Sequence, residues 1–127
     1  MNATSTSNKR ILLVDDEPVM LMIIHRLLTA EGYLVEMVED GSKALAKYEP
    51  GKYSLIITDF LMPAMDGLEL AQTIKTLSSA QPIMLVTGFL DRIKQEGRSC
   101  SQVDLLLEKP FTPEGFKEAL AKLVANG

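Results

Sequence analysis

Short apolar runs alternate along this chain with segments of helical periodicity. Five runs of four to six mostly apolar residues are separated by segments in which apolar residues recur every three or four positions. The runs are typical of buried strands, and the spacing between them is typical of helices with one apolar face. The predicted strands therefore lie at residues 10–14, 33–38, 55–59, 83–86 and 103–107.

Capping and turn residues predict where several of the helices begin. Asp66, with Glu69 three places later, has the pattern of a capping box. Thr112 before Pro113 predicts the N-cap of the last helix. Residues 89–97 predict a fourth helix, which we expect to be short because the polar run after it is poor in helix formers.

Strands and helices alternate five times, without an internal repeat or a linker between domains. This order predicts an α/β protein, a flavodoxin-like (βα)5 three-layer sandwich. Its parallel five-stranded sheet should have the order 2-1-3-4-5, with helices on both faces. We expect one domain at residues 9–127, after a flexible N-terminal tail at residues 1–8 that is rich in Ser, Thr and Asn.

The composition indicates a globular domain of ordinary size and restricts its partners. The chain has 127 residues, a formal net charge of −4 and 24% charged residues. This mild acidity, without a basic stripe, argues against nucleic-acid binding by the chain alone. The first residues lack the apolar stretch of a signal peptide or membrane anchor, so we expect no membrane partner. The single Cys100 fits a reducing cytoplasm, where we expect the chain to act.

Acidic side chains follow two strands that should be neighbours in the sheet. Asp15 and Asp16 come at the end of the first strand, and Asp59 ends the third. The strand order brings the three carboxylates to one edge, where their repulsion favours a divalent cation. Oxygen ligands favour Mg²⁺, with Mn²⁺ as an alternative. Thr87 and Lys109, at the ends of the fourth and fifth strands, should line the same edge and contact a phosphoryl group attacked by Asp59.

Four motifs occur in order at these strand ends. They are Asp15-Asp16, D-x-x-M-P-x-M-D-G from Asp59 to Gly67, Thr87-Gly88, and Lys109-Pro110-Phe111. Together they resemble the receiver domain of two-component response regulators, including the chemotaxis regulators. The resemblance implies a phosphorelay signalling domain that accepts a phosphoryl group from a histidine kinase or phosphotransfer protein and then switches binding to a downstream output domain or protein. It implies no enzyme in the ordinary sense, only magnesium-dependent self-phosphorylation from small donors and slow self-dephosphorylation.

The resemblance also implies a metal-ligand set around the phosphoacceptor, Asp59. Asp16 would ligate Mg²⁺ directly, and Asp15 would do so mainly through water. The backbone carbonyl of Leu61 would be a further ligand. These roles are carried over from the family motif position by position.

On the phosphate side, Thr87 would close on the phosphoryl group and Lys109 would pair with it. The family usually has a cis peptide before the proline of the last motif, so Lys109-Pro110 is expected to be cis. One family feature is missing, because Leu106 stands where Tyr or Phe usually turns inward on phosphorylation. The signal then leaves either through a smaller packing change at Leu106 or by another face, and dimerisation is left open.

Two apolar residues predict a long-lived phosphoryl group. Leu61 lies two residues after Asp59, and Phe89 lies two residues after Thr87, at positions that influence water access in this family. Neither side chain can orient an attacking water, and Phe89 could shield the phosphoryl group. We therefore expect slow self-dephosphorylation.

Other interpretations of these residues stay open. The chain could be a receiver-like interaction module that works without phosphorylation, or the receiver fragment of a hybrid histidine kinase. A haloacid-dehalogenase-type phosphatase would also use a strand-end aspartate nucleophile, but it needs a second acidic residue two positions later, where this chain has Leu61. An FMN site needs a phosphate-binding loop where the chain has Asp15 and Asp16. Taken alone, either of these two aspartates would be interpreted as a helix N-cap.

Overall fold

Five strands and five helices alternate along the chain in the computed structural model, which describes residues 9–124. The strands are β1 (Arg10–Val14), β2 (Leu34–Val38), β3 (Leu55–Asp59), β4 (Ile83–Thr87) and β5 (Leu105–Glu108). The helices are α1 (Pro18–Ala30), α2 (Gly41–Lys47), α3 (Gly67–Leu77), α4 (Leu90–Gln95) and α5 (Pro113–Val124). The predicted tail, residues 1–8, lies outside the described residues, as do residues 125–127. Within the described range, no helix has both the length and the apolar character needed to cross a bilayer.

The strands form one parallel sheet in the order β2-β1-β3-β4-β5, which confirms the predicted flavodoxin-like topology. Val14 pairs with Thr58, and Asp59 pairs with Val86, so β1, β3 and β4 end at nearly the same level. Residues that follow these three strands therefore meet at the carboxyl edge of the sheet, where α/β proteins place their sites.

Alternate residues of the central strands face opposite layers of helices. In β1, Ile11 and Leu13 pack in the layer that also contains Phe116 of α5. Leu12 packs in the opposite layer, which contains Ile74 of α3. Every residue of β3 and β4 is buried, which explains why their sequences are apolar without alternation.

The predicted caps of α3 and α5 are confirmed. The Asp66 carboxylate accepts a 2.9 Å hydrogen bond from the Glu69 N–H, and the Glu69 carboxylate accepts one of 2.9 Å from the Asp66 N–H. The Thr112 hydroxyl accepts a 2.9 Å hydrogen bond from the Gly115 N–H. These bonds satisfy donors that a helix leaves free in its first turn.

Three predicted strands have bounds that differ from the structure by one or two residues, and β4 extends one residue further than predicted, to Thr87. β2 begins one residue later than predicted because the Tyr33 N–H donates to the Leu28 carbonyl at the end of α1. β5 spans 105–108 rather than 103–107, because the Val103 N–H closes a turn onto the Cys100 carbonyl before pairing with β4 begins. The fourth helix is short, as predicted, with six residues.

Candidate functional site

Four of the predicted site residues come together at the carboxyl edge of the sheet. Asp59 and Thr87 are the last residues of β3 and β4, whereas Asp15 and Lys109 directly follow β1 and β5. Asp15, Asp59 and Thr87 are only 2%, 6% and 0% exposed. Charges inside such a pocket interact more strongly than they would in water.

Lys109 is the cation of this pocket. Its Nζ lies 3.5 Å from an Asp59 carboxylate oxygen and 3.8 Å from one oxygen each of Asp15 and Glu17. Its backbone N–H donates a 2.9 Å hydrogen bond to the Thr87 carbonyl, which holds the end of β5 beside the end of β4. The Lys109-Pro110 peptide bond is cis, as the resemblance implied. One lysine therefore faces three carboxylates.

The third of these carboxylates belongs to Glu17 rather than to Asp16. Oxygens of Asp15, Glu17 and Asp59 all lie within 4.8 Å of one another, whereas Asp16 is exposed and outside this group. Sequence reasoning missed Glu17, although the run D-D-E before Pro18 places three acids on one turn. Glu17, and not Asp15 or Asp16, is also the N-cap residue of α1.

Burial makes ionisation of the Asp15 and Asp59 carboxyl groups less favourable than it is in water. Burial raises the pKa of Asp15 from 3.8 to about 6, although the Glu17 N–H, at 2.9 Å, and Lys109 lower it. Burial also raises the pKa of Asp59, against the lowering effects of Lys109 and of the Phe60 N–H. Negative charge in the pocket is thus only partly compensated.

This donor set fits a hard divalent cation. The three clustered side chains offer only carboxylate oxygens, which are ligands that Mg²⁺ and Mn²⁺ accept. A cation bound there would favour the ionised form of the two carboxylates whose pKa values burial raises. Leu61, whose carbonyl the family motif predicts as a ligand, is half-buried two residues after Asp59.

The loop after Asp59 returns closely to the end of β3. The Phe60 N–H donates a 2.7 Å hydrogen bond to an Asp59 carboxylate oxygen, and the Gly67 N–H donates one of 2.8 Å to the Phe60 carbonyl. A Cβ on Gly67 would overlap with the Asp59 carbonyl oxygen, so this close approach requires glycine. Ala64 has a φ of 69°, a left-handed conformation that is strained for alanine. A compact, locally strained loop therefore adjoins the candidate nucleophile.

The other predicted residues, Phe89 and Leu106, contact Thr87 and the cluster around Phe60, respectively. The Thr87 hydroxyl oxygen accepts a 2.9 Å hydrogen bond from the Phe89 N–H, and the Phe89 side chain is 44% exposed. Leu106 is half-buried and packs against a cluster that includes Phe60 and Ile93. Leu106 thus packs in the same cluster as Phe60, the residue that follows Asp59.

Comparisons with known proteins agree with this geometry. The family model for the response regulator receiver domain matches residues 11–121. Sensor protein EvgS of Escherichia coli is 38% identical over 114 residues, which cover 89% of this chain and 9% of EvgS. Response regulator RppA of Synechocystis is 36% identical over 118 residues, which cover 91% of this chain and 49% of RppA. The crystal structure of response regulator TrrA from Thermotoga maritima, in complex with Mg²⁺-BeF, has a TM-score of 0.81 and 36% identity over 91% of this chain and 98% of TrrA.

The chain belongs to the response regulator receiver domain family. It is therefore a phosphoacceptor domain of two-component signalling, a class that acts in signal transfer rather than as an ordinary enzyme. The chain spans about half the length of RppA and 9% of EvgS, so it corresponds to one part of those longer proteins.

Proposed function

We propose that Asp59 accepts a phosphoryl group from a phosphorylated histidine of a histidine kinase or a phosphotransfer protein. The observation that carries this proposal is the position of Lys109, whose Nζ lies 3.5 Å from the buried Asp59 carboxylate. A carboxylate nucleophile beside a fixed cation suits attack on a group that brings its own negative charge.

In the proposed transfer, an Asp59 oxygen attacks phosphorus. The new P–O bond forms as the P–N bond breaks, and the donor imidazole leaves with the bonding electron pair. Lys109 would pair with one phosphoryl oxygen, and the Thr87 hydroxyl would donate to another. The Phe60 N–H, at 2.7 Å from an Asp59 oxygen, orients the attacking carboxylate.

Asp15, Asp16 and Asp59, with the backbone carbonyl of Leu61, would hold Mg²⁺, or Mn²⁺ in its place. Support comes from the partly compensated carboxylate charge of the pocket and from TrrA, whose structure is a complex with Mg²⁺-BeF. When bound, the cation supplies positive charge that reduces repulsion between the carboxylates and the phosphoryl group. Glu17 adds a further carboxylate within reach of the same ion.

The similar proteins support two settings for this receiver. RppA is a response regulator and EvgS is a sensor protein, so the receiver would be either part of a response regulator or a segment of a hybrid kinase. In both, it would act in the cytoplasm and control a downstream output domain or protein. The domain would begin near residue 9, after the tail at residues 1–8, and would contact neither nucleic acid nor membrane by itself.

The variant Asp59→Asn tests the proposed acceptor. Wild-type protein incubated with acetyl phosphate and Mg²⁺ should gain one phosphoryl group by intact-protein mass spectrometry, and Asp59→Asn should gain none. Asp91→Asn, which changes an exposed acid in the first turn of α4, is the matched control and should label like the wild type. Persistent labelling of Asp59→Asn would place the acceptor on another residue. A wild-type chain that neither labels nor responds to beryllofluoride would favour the phosphorylation-independent module.

A further inference from the structure

One arginine, Arg98, contacts the loop that follows Asp59 at two places. Its guanidinium donates to both carboxylate oxygens of Asp66, at 2.9 and 3.1 Å. Its guanidinium carbon lies 5.6 Å from the centre of the Phe60 ring, within the range of a cation–π contact. Arg98 lies far along the chain from both residues, in the segment between α4 and β5.

These two contacts fall at the two ends of the loop 60–66, which we call the acceptor loop. At its start, the Phe60 N–H donates to the Asp59 carboxylate at 2.7 Å. At its end, Asp66 caps α3, and the next residue, Gly67, donates to the Phe60 carbonyl at 2.8 Å. A single side chain therefore holds both ends of the loop that orients the phosphoacceptor.

The position of Arg98 is in turn fixed by the end of α4. The Arg98 N–H donates to the Ile93 carbonyl at 3.1 Å, and the Gly97 N–H donates to the Lys94 carbonyl at 3.0 Å. With Gly97 at a φ of 67°, these two bonds form a Schellman motif. The guanidinium thus connects the acceptor loop to the carboxyl end of α4.

The pairing between Arg98 and Asp66 is stronger than an ordinary surface ion pair. The two side chains are 32% and 18% exposed, and both oxygens of the carboxylate are used. Burial would raise the pKa of Asp66, but the Arg98 hydrogen bonds and the Glu69 N–H lower it below its usual value. The pair therefore persists at any pH at which the pocket is ionised.

We propose that Arg98 is a positioning residue that holds the acceptor loop against Asp59 and links the state of Asp59 to the carboxyl end of α4. A phosphoryl group on Asp59 changes the charge that the Phe60 N–H faces, so Phe60 and its ring shift beneath the guanidinium. Because Arg98 is bonded into the end of α4, this shift reaches the segment between α4 and β5. The role depends on phosphoryl transfer to Asp59 and so rests on the proposed function.

The test uses Arg98→Met and, as the matched control, Arg92→Met, which removes an exposed ion pair between α4 and its C-cap residue Glu96. Each protein, comprising residues 1–127, is titrated with beryllofluoride at saturating Mg²⁺, and the backbone amide signals of Phe60 and Gly97 are followed by NMR. In the wild type both signals should shift. In Arg98→Met the beryllofluoride affinity should fall about three- to tenfold, and the Gly97 shift should be lost while the Phe60 shift is retained. Arg92→Met should change the affinity by less than about 1.5-fold.

Two further variants separate positioning from simple loss of stability. Arg98→Lys keeps the positive charge but loses the planar guanidinium that bonds both oxygens of Asp66. Its beryllofluoride affinity should therefore lie between those of the wild type and Arg98→Met. Asp66→Asn keeps an acceptor for the Glu69 N–H and loses the ion pair, so it should reproduce the loss of the Gly97 shift even if Arg98→Met folds poorly. Unchanged affinity together with an unchanged Gly97 shift in these variants would overturn the role of Arg98. A wild-type chain without any response to beryllofluoride would overturn the proposed function and this role together.

Discussion

Replacing Asp15 with Asn should make the metal-free protein more stable. Asp15 is 2% exposed, and the two other carboxylates near it share a single lysine, Lys109. Asn is nearly the same size and keeps an oxygen that can accept the Glu17 N–H bond, now 2.9 Å long. The substitution therefore removes a buried charge while changing the packing little.

The size of the effect follows from the raised pKa of Asp15. In the folded chain this pKa is about 6, compared with an ordinary value of 3.8. Each pH unit between the two values is worth about 1.4 kcal/mol, so ionised Asp15 costs the fold up to about 3 kcal/mol. Because the folded chain binds this proton more tightly than the unfolded chain, the cost is absent below about pH 4, grows as the pH rises to about 6 and is constant above it.

Urea unfolding of the wild type and of Asp15→Asn in EDTA measures this cost. At pH 7.5 the variant should have a free energy of unfolding about 1–3 kcal/mol higher, which moves the urea midpoint by roughly 1 M. At pH 4 the difference should be close to zero. Saturating Mg²⁺ should reduce the difference at pH 7.5, because the wild type gains more from the ion.

Asp16→Asn is the matched control, because Asp16 is the exposed acid next in sequence. Its effect on unfolding should stay within about 0.5 kcal/mol at both pH values. An Asp15→Asn variant that is less stable than the wild type at pH 7.5, or equally affected at pH 4, would refute the assignment of an only partly compensated buried charge to Asp15.

Four further substitutions test the pocket and its loop. Leu61→Asn and Phe89→Glu introduce groups that can orient water, so each should speed phosphate loss at least about threefold in a chase of the labelled protein; unchanged or slower decay would count against the predicted slow self-dephosphorylation. Ala64→Gly relieves the left-handed φ of 69° and should raise the free energy of unfolding by up to about 1 kcal/mol, whereas the control Ala46→Gly, in α2, should lower it by about 0.5–1 kcal/mol. Gly67→Ala places a methyl group against the Asp59 carbonyl oxygen at the end of β3 and should lower the free energy of unfolding by about 2–3 kcal/mol. A neutral effect in urea unfolding would mean that the loop adjusts easily.

The fold and most of the pocket could be predicted because both depend on local patterns. Strand ends are marked by an abrupt change from apolar to acidic or polar residues, as at Asp59 and at Thr87. Once the alternation of strands and helices gives a parallel sheet, its carboxyl ends share one edge, so residues distant in sequence become neighbours. This reasoning predicts Lys109 at the same edge as Asp59, and in the structure the Lys109 Nζ lies 3.5 Å from an Asp59 carboxylate oxygen.

Contacts that depend on the direction of a side chain could not be predicted in the same way. Asp16 and Glu17 are adjacent acids on one turn, and only the backbone path into α1 decides which of them faces Asp15. Arg98 is a similar case, because a polar run poor in helix formers gives no sign that one of its residues reaches across to Asp66. A turn fixes such directions through a few dihedral angles that sequence periodicity does not encode.

The features that weaken this fold are concentrated where the phosphoryl group would enter. Two buried carboxylates have raised pKa values, and Ala64 holds a left-handed backbone in the acceptor loop. A cation or a rearranged loop can relieve each of these costs, so the free energy withheld from folding becomes available when the pocket is filled. Arg98 joins this loop to the end of α4. In the role proposed for Arg98, a change at Asp59 therefore reaches the end of α4 without an aromatic residue at the position of Leu106.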